Sequence, residues 1–289
     1  MHSRYSLDGE FGVEELIKQC AEAHLEVISI ADHNQSNAVS EGLEYGRKYG
    51  ITVIPGIEID CQYKGIDLHI LGYHINAESS DFEALEKDFT ARVMESFPKM
   101  VHKLSASGIQ VDLEEVLSKA GGHLPSGELI AEVLLGNDKY LGNVKLDPYR
   151  RGGQRSDMPY INFYLDFFAQ GKPAYVKIEF MEYLEAIALI KANHGIPVVA
   201  HPGLNLKGNE KLVEELLDNG AEGVEVFNNY HDYDQIDYFA RAALRRNVLM
   251  TCGSDFHGKT KPLIKPGMYR TIKEYEGNVA ESIRKILKI

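Results

Sequence analysis

Gly253-Ser254-Asp255-Phe256-His257-Gly258 follows a strand-like run, Val248-Leu249-Met250-Thr251-Cys252, and closes it with a carboxylate and an imidazole two positions apart. In an extended segment residues i and i+2 point to one side, so both side chains can meet one ion. Three further apolar runs end in the same manner. Val27-Ile28-Ser29-Ile30-Ala31 leads into Asp32-His33, Thr52-Val53-Ile54-Pro55-Gly56-Ile57 into Glu58, and Pro197-Val198-Val199-Ala200 into His201. Ligand-type side chains at the same end of successive strands predict a metal site on the rim of a barrel, where barrel enzymes place their chemistry.

The segments between these runs fit that reading. Val13, Leu16, Ile17 and Cys20 have helical spacing over 13–23, and a second helix is expected over 37–48. Residues 67–73, carrying His69, read as an edge or antiparallel strand. Strands and helices alternate again from 181 onward: helix 181–194, strand 197–201, helix 210–218, strand 223–227, helix 233–245, strand 248–252 and a closing helix over 279–287. Such alternation predicts a largely parallel sheet with helices outside. Between the two halves the pattern breaks. A long polar helix over 82–105 precedes shorter helices at 113–119, 128–135 and 161–169, with a Gly- and Arg-rich stretch at 149–155 among them. The expected organisation is a barrel formed by 1–76 and 175–289, interrupted by a helical insertion at 77–174.

Composition narrows the function classes. The 289-residue chain has 44% hydrophobic and 26% charged residues, ordinary for a globular protein. A formal charge of −12 argues against a broad nucleic-acid-coating surface, although bound cations can reverse the field locally. Cys20, Cys61 and Cys252 form no C-x-x-C arrangement and read as buried thiols of a reducing compartment. No apolar run reaches the length of a membrane span and no leader pattern opens the chain, so a cytoplasmic location and no membrane partner are expected.

The candidate ligands are His2, Asp8, His33, Glu58, His69, His201, Asp255 and His257. Mixed imidazole and carboxylate donors suit Zn, Mn or Fe better than Mg or Ca. Eight donors exceed one tetrahedral ion, so two or three divalent ions are expected, with Glu58 and Asp8 as bridges. A cluster of this kind supplies hydroxide near neutral pH and clamps phosphate oxygens. Taken alone, a strand histidine such as His69 or His201 is ordinarily a hydrogen-bonded polar group; it is the joint pattern that carries the expectation. His24, His74, His102, His123 and His194 lack a strand-end context and are assigned to surface or packing. Asp32 is expected to orient His33 or a neighbouring ligand from behind, as metal-bound imidazoles require.

In order along the chain stand His2-Ser3-Arg4-Tyr5-Ser6-Leu7-Asp8-Gly9, Asp32-His33, Gly56-Ile57-Glu58, His69-Ile70-Leu71-Gly72, Ala200-His201-Pro202-Gly203 and Gly253-Ser254-Asp255-Phe256-His257. This series resembles the motifs of the polymerase and histidinol phosphatase (PHP) family. The resemblance implies a distorted (β/α)7 barrel with a bi- or trinuclear metal site and phosphoester hydrolysis. The family opens on His-x-His, and His2 matches only the second of the pair; a cluster short of one ligand would hold one metal more weakly. The insertion resembles that of the branch acting on small nucleotides, including 3′,5′-bisphosphate nucleotide phosphatases, in which the insert caps the site and gives an Arg to the phosphate. Here the aligned Gly127-Glu128-Leu129-Ile130-Ala131-Glu132 has no Arg. Arg150, Arg151 and Arg155 are the substitutes expected to bind phosphate, the alternative being a solvated loop. The resemblance also implies that His231 faces the substrate and protonates a leaving oxygen, and Arg4 is expected beside the phosphate.

The function expected is therefore metal-dependent hydrolysis of a small phosphomonoester of nucleotide type, AMP or a 3′,5′-bisphosphate, by metal-activated water, with His231 and Asp32 as the assisting groups. A short oligonucleotide is a second substrate class. The alternatives are an amidohydrolase-like enzyme acting on a non-phosphate bond and a metal-binding module impaired by its shortened first motif.

Overall fold

A computed structural model describes residues 1–288. Helix α1 (Val13–Glu22) buries Val13, Leu16, Ile17 and Cys20 on one stripe, with Glu14 and Glu15 in its first turn, where negative charge meets the positive end of the helix. It packs on α2 (Ala38–Tyr49), and between them lies β1 (Val27–Ile28), parallel to β2 (Thr52–Val53). Ile54 and Pro55 carry the chain from β2 into β3 (Gly56–Tyr63). A two-residue turn, Lys64-Gly65, both at positive φ, folds β3 back onto β4 (Ile66–Tyr73).

After the insertion, β5 (Met181–Glu182) pairs parallel with the far end of β3. Helix α7 (Tyr183–Ala192, numbered after the four insertion helices given below) then leads to β6 (Ile196–Val199), which lies antiparallel to β4. Beyond β6 the pattern is regular. The short α8 (Pro202–Asn205) and α9 (Leu212–Asp218) precede β7 (Gly223–Phe227), and α10 (Tyr233–Arg246) precedes β8 (Leu249–Cys252); β6, β7 and β8 are mutually parallel. The chain's first residues close the ring. His2 N donates to Phe256 O at 2.9 Å, Ala31 N to Met1 O at 3.0 Å, and Glu58 N to Asp32 O at 3.1 Å, stitching the segment after β8 through Met1–His2 and the end of β1 to β3. The result is a distorted α/β barrel. Residues 66–73 are antiparallel as expected but interior, between β3 and β4's other neighbour β6, so the edge reading is corrected.

The last helix, α11 (Lys273–Ile286), starts before Val279 because Tyr275 extends its buried face. The insertion consists of α3 (Ser80–Ala106), α4 (Leu113–Ala120), α5 (Gly127–Gly136) and α6 (Pro159–Phe167), with short 3₁₀ turns between α5 and α6. These helices enclose a second hydrophobic core running from Phe97 to Ala174, centred on Leu104, Ile130, Leu134 and Phe163. The N-terminal half of α3 belongs instead to the barrel core, through Phe82. Among the described residues no helix is long and apolar enough to cross a membrane.

Candidate metal centre

Strand ends and strand interiors together deliver the ligands to one place: Glu58 lies inside β3 and not at the end of the run over 52–57, which corrects that expectation, and His69 lies inside β4. Glu58 and Asp60 are two apart on β3 and so share a face, and His69 stands directly opposite Asp60 on β4. Glu58 lies at the centre. His69 Nδ1 is 2.7 Å and His201 Nε2 2.9 Å from its Oε1, and His2 Nε2 is 3.2 Å from its Oε2. His2 Nε2 is also 3.1 Å from Asp255 Oδ1, and its ring stacks on those of His257 and His33 at 4.0 and 4.5 Å. His257 Nε2 lies 3.0 Å from Asp8 Oδ2. All eight ligand-type residues expected from the sequence therefore gather in one cluster. Three overlapping donor sets stand out within it: His2, Asp8, His33 and His257; His33, Glu58 and His69; His2, Glu58 and Asp255.

The backbone is bent to achieve this. Asp255 takes φ +52° and His201 φ +21°, left-handed values that side-chain-bearing residues adopt at a cost of order 1 kcal/mol or more. Asp255 and His257 converge through this turn and not through strand alternation, which corrects the extended geometry expected for that segment. Three of the imidazoles, those of His33, His201 and His257, are held from behind. Asp60 Oδ1 sits 2.8 Å from His33 Nδ1, while Asn34 grips Asp60 at both ends, donating from Nδ2 to Oδ2 and accepting its N–H at Oδ1. Asn205 Oδ1 pairs with His201 Nδ1 at 2.7 Å, and His257 Nδ1 with Asp255 O at 2.8 Å. Such partners fix ring orientation in metal sites.

The chemistry of this donor set fits divalent cations. His2 Nδ1 and His257 Nε2 are buried without a hydrogen-bond partner, the latter despite facing a carboxylate oxygen at 3.0 Å. His257 Nε2 and Asp8 Oδ2, facing each other at 3.0 Å, are suited to an ion between them. Burial opposes ionisation of Asp8 and of Glu58, yet the neighbouring imidazoles hold both carboxyls well below the ordinary range. Burial also opposes protonation of His201, but Glu58 pushes its pKa up to about 9. Burial dominates at His257 and takes it down to about 4. His2, His33, Glu58, His69, His201, Asp8, Asp255 and His257 would hold the ions.

This cluster forms one wall of a cavity of about 440 Å³ between the barrel mouth and the insertion. Asp8, Asp60, Asp67, Glu128 and Asp255 line it, and beside the imidazoles of the cluster its one lysine or arginine is Lys261. Lys261 is buried and donates to Asp255 Oδ2 at 2.6 Å, an oxygen that also accepts from Tyr230 OH at 2.7 Å. Sequence reasoning missed Lys261, Tyr230, Asp60 and Asn34. For Asp60 the signal was present: it is to Glu58 what His257 is to Asp255.

Several expectations about the remaining residues are corrected by the geometry. Asp32 does not face His33. Its two oxygens accept from Ser3 N and Ser3 Oγ, both at 2.6 Å, so it anchors the backbone beside His2. His231 is fully buried with both ring nitrogens engaged, Nδ1 2.8 Å from Val226 O and Nε2 accepting from Gly203 N at 3.1 Å. Burial lowers its pKa to about 4, which leaves it no proton to give a leaving oxygen near neutrality. Arg150 donates to the carbonyls of Tyr140 and Leu141, and Arg155 makes a two-pronged pair with Asp166, at 3.0 Å on each side. Arg151 is exposed, and Arg4 is exposed with its guanidinium 5.9 Å from the Tyr5 ring centre. None of the four arginines lines the cavity.

Comparison with known proteins agrees with the geometry. The PHP domain model matches residues 1–231. Three relatives cover most of this chain and of themselves. A phosphoribosyl 1,2-cyclic phosphate 1,2-diphosphodiesterase of Eggerthella lenta is 24% identical over 90% of this chain and 93% of its own. A 5′-3′ exoribonuclease of Haemophilus influenzae is 26% identical over 89% and 88%, and a 3′,5′-nucleoside bisphosphate phosphatase of Chromobacterium violaceum 25% identical over 89% and 85%. An amidohydrolase structure from Chromobacterium violaceum, with bound sulfate and no metal, superposes with a TM-score of 0.79 at 23% identity, covering 99% of this chain and 94% of that one. With its ordered ligands converging in the barrel mouth and its family model spanning most of its length, the chain belongs to the PHP domain family of metal-dependent phosphoesterases.

Proposed function

We propose that this phosphoesterase hydrolyses a small phosphomonoester of nucleotide type in the cavity between the barrel mouth and the insertion. The observation that carries the reading is the cavity itself: about 440 Å³, within the range of small-ligand sites, with the histidine and carboxylate cluster as one wall. His2, Asp8, His33, Glu58, His69, His201, Asp255 and His257 would hold divalent ions there, which would supply a nucleophile at neutral pH and neutralise phosphoryl oxygens. Glu58 draws three imidazoles together, and Asp60, Asn34 and Asn205 keep ligand rings in register. Lys261, clasped to Asp255, adds a positive charge at the rim of the cluster, where a phosphoryl oxygen can approach it. The nucleotide relatives support the choice of substrate class, since the named phosphatase acts on a nucleoside bisphosphate and the exoribonuclease on RNA.

The test is a substrate panel with Mn, Zn and Fe supplied separately. Phosphoesters of nucleosides are expected to turn over, and amides and lactones not. Hydrolysis of an amide or lactone without any phosphoester turnover overturns the proposal.

A further inference from the structure

We infer that the insertion's wall of the cavity selects a phosphoester bearing one phosphoryl group on a planar aromatic body, a nucleoside monophosphate in preference to a bisphosphate or an RNA strand, with Glu128 setting that preference. The inference rests on the phosphoester reading above and names the substrate within it.

Two features of the insertion wall carry it. The first is its charge. A second phosphate needs its own cation, ideally a guanidinium or ammonium group. Outside the metal cluster the cavity offers only Lys261, and that amine is already bound to Asp255 at 2.6 Å. Arg150 and Arg155 are turned to the insertion's own carbonyls and carboxylates, and neither Arg92 nor the exposed Arg151 lines the cavity. In the first turn of α5, Glu128 lines the cavity with its side chain buried. Neither charge state of a carboxyl group matches the pull of a cation on a phosphate dianion. Successive phosphates of RNA would meet the same wall, although strand binding requires a positive groove.

The second feature is shape and polarity. Phe89, Met100, Tyr164, Leu165 and Phe168 of the insertion line the cavity. Phe168 packs under α5 at Gly127 and is 3% exposed, so the partly exposed Tyr164, its ring centre 6.4 Å from that of Phe168, and the exposed Leu165 give the wall its open apolar surface. An apolar surface of this kind gives affinity to a ring face and none to a charged group.

The experiment compares kcat/KM of the metal-loaded protein for adenosine 5′-monophosphate, adenosine 3′,5′-bisphosphate and tetra-adenylate. Calorimetric binding of the first two to protein stripped of metal gives a readout independent of turnover. The monophosphate is expected to lead by at least tenfold in both. Glu128→Arg should narrow that lead by tenfold or more, and Glu128→Gln by a smaller factor if the arginine variant does not fold. Phe168→Ala should raise KM for the monophosphate more than it raises the inhibition constant of inorganic phosphate. A bisphosphate or tetra-adenylate rate equal to or above that of the monophosphate overturns the inference and leaves phosphoester hydrolysis standing. If no phosphoester is turned over, the parent reading falls, and tighter binding of the bisphosphate would then sink the inference as well.

Discussion

The cavity has two walls of opposite character. The barrel wall is a dense set of imidazoles and carboxylates on β3, on β4 and just past the ends of other strands, three of the rings braced by a second polar group. The insertion wall is helical, apolar and aromatic, with one buried carboxyl group and no free cation of its own. The barrel wall has the ligands that phosphoryl chemistry with metal ions requires. The insertion wall presents surface on which one substrate can be told from another. The two walls rest on different packing: the insertion wall on a single helical core, the barrel wall on three clusters that flank the ligand-bearing segments.

Substitutions break or sharpen this division. The largest effect is expected for Glu58→Ala, which leaves His2, His69 and His201 without their shared carboxylate. Metal content measured by elemental analysis should fall, and the rate should drop on the order of 10³-fold or more, several kcal/mol of transition-state stabilisation. A variant with full metal and rate would remove the barrel wall's assigned role. Next comes His231, as a test that it serves the frame and not the reaction. Its folded pKa of about 4 lies below the ordinary 6.5, so in that window the unfolded chain binds a proton that the folded chain refuses. Stability must then decline as pH drops below 6.5 and level off beneath about 4, a difference of about 3 kcal/mol from this one group. Urea midpoints at pH 7 and pH 4.5 should therefore differ less in His231→Gln than in the parent chain; an unchanged difference would contradict the assignment.

A smaller loss is expected for Asp60→Asn, which keeps the shape behind His33 but weakens its hold. Metal affinity should fall roughly 10- to 100-fold, read by competition with a chelator. Smallest of all is Arg155→Ala. It removes a half-exposed pair with Asp166 and should cost no more than about 1 kcal/mol in thermal unfolding, with kcat/KM for a phosphoester within about twofold. A tenfold activity loss there would return the insertion arginines to the phosphate and blur the contrast between the walls.

The same contrast governs what could be read from residue order. Strand ends are regular, so apolar runs ending in Asp32-His33, Glu58, His201 and Asp255-Phe256-His257 announced both the barrel and its ligands. His69 was legible from its strand-like run and from the motif His69-Ile70-Leu71-Gly72, and the structure sets it opposite Asp60 on β3. Asp60 was legible by the same period of two but was passed over. Lys261 lies in an irregular loop after β8, where no periodicity reports direction. His231 follows a strand as His33, His201 and His257 do, and only its two tertiary hydrogen bonds reveal that it is spoken for. The insertion arginines failed for a related reason. Charge composition identifies a guanidinium but not which carbonyls the folded loops turn toward it. The missing Arg in 127–132, visible in the sequence, pointed to the insertion wall's lack of a phosphate-binding cation more directly than the arginines that are present.

Helix α3 runs through both cores, with Phe82 packed in the barrel and Phe97, Val101 and Leu104 in the insertion. Its 27 residues make a rod about 40 Å long. Melting either end would strip side chains from a neighbour that depends on them, so heat should dissolve the two halves in a single cooperative step, and the lid over the reaction chamber survives only as long as the vessel beneath it.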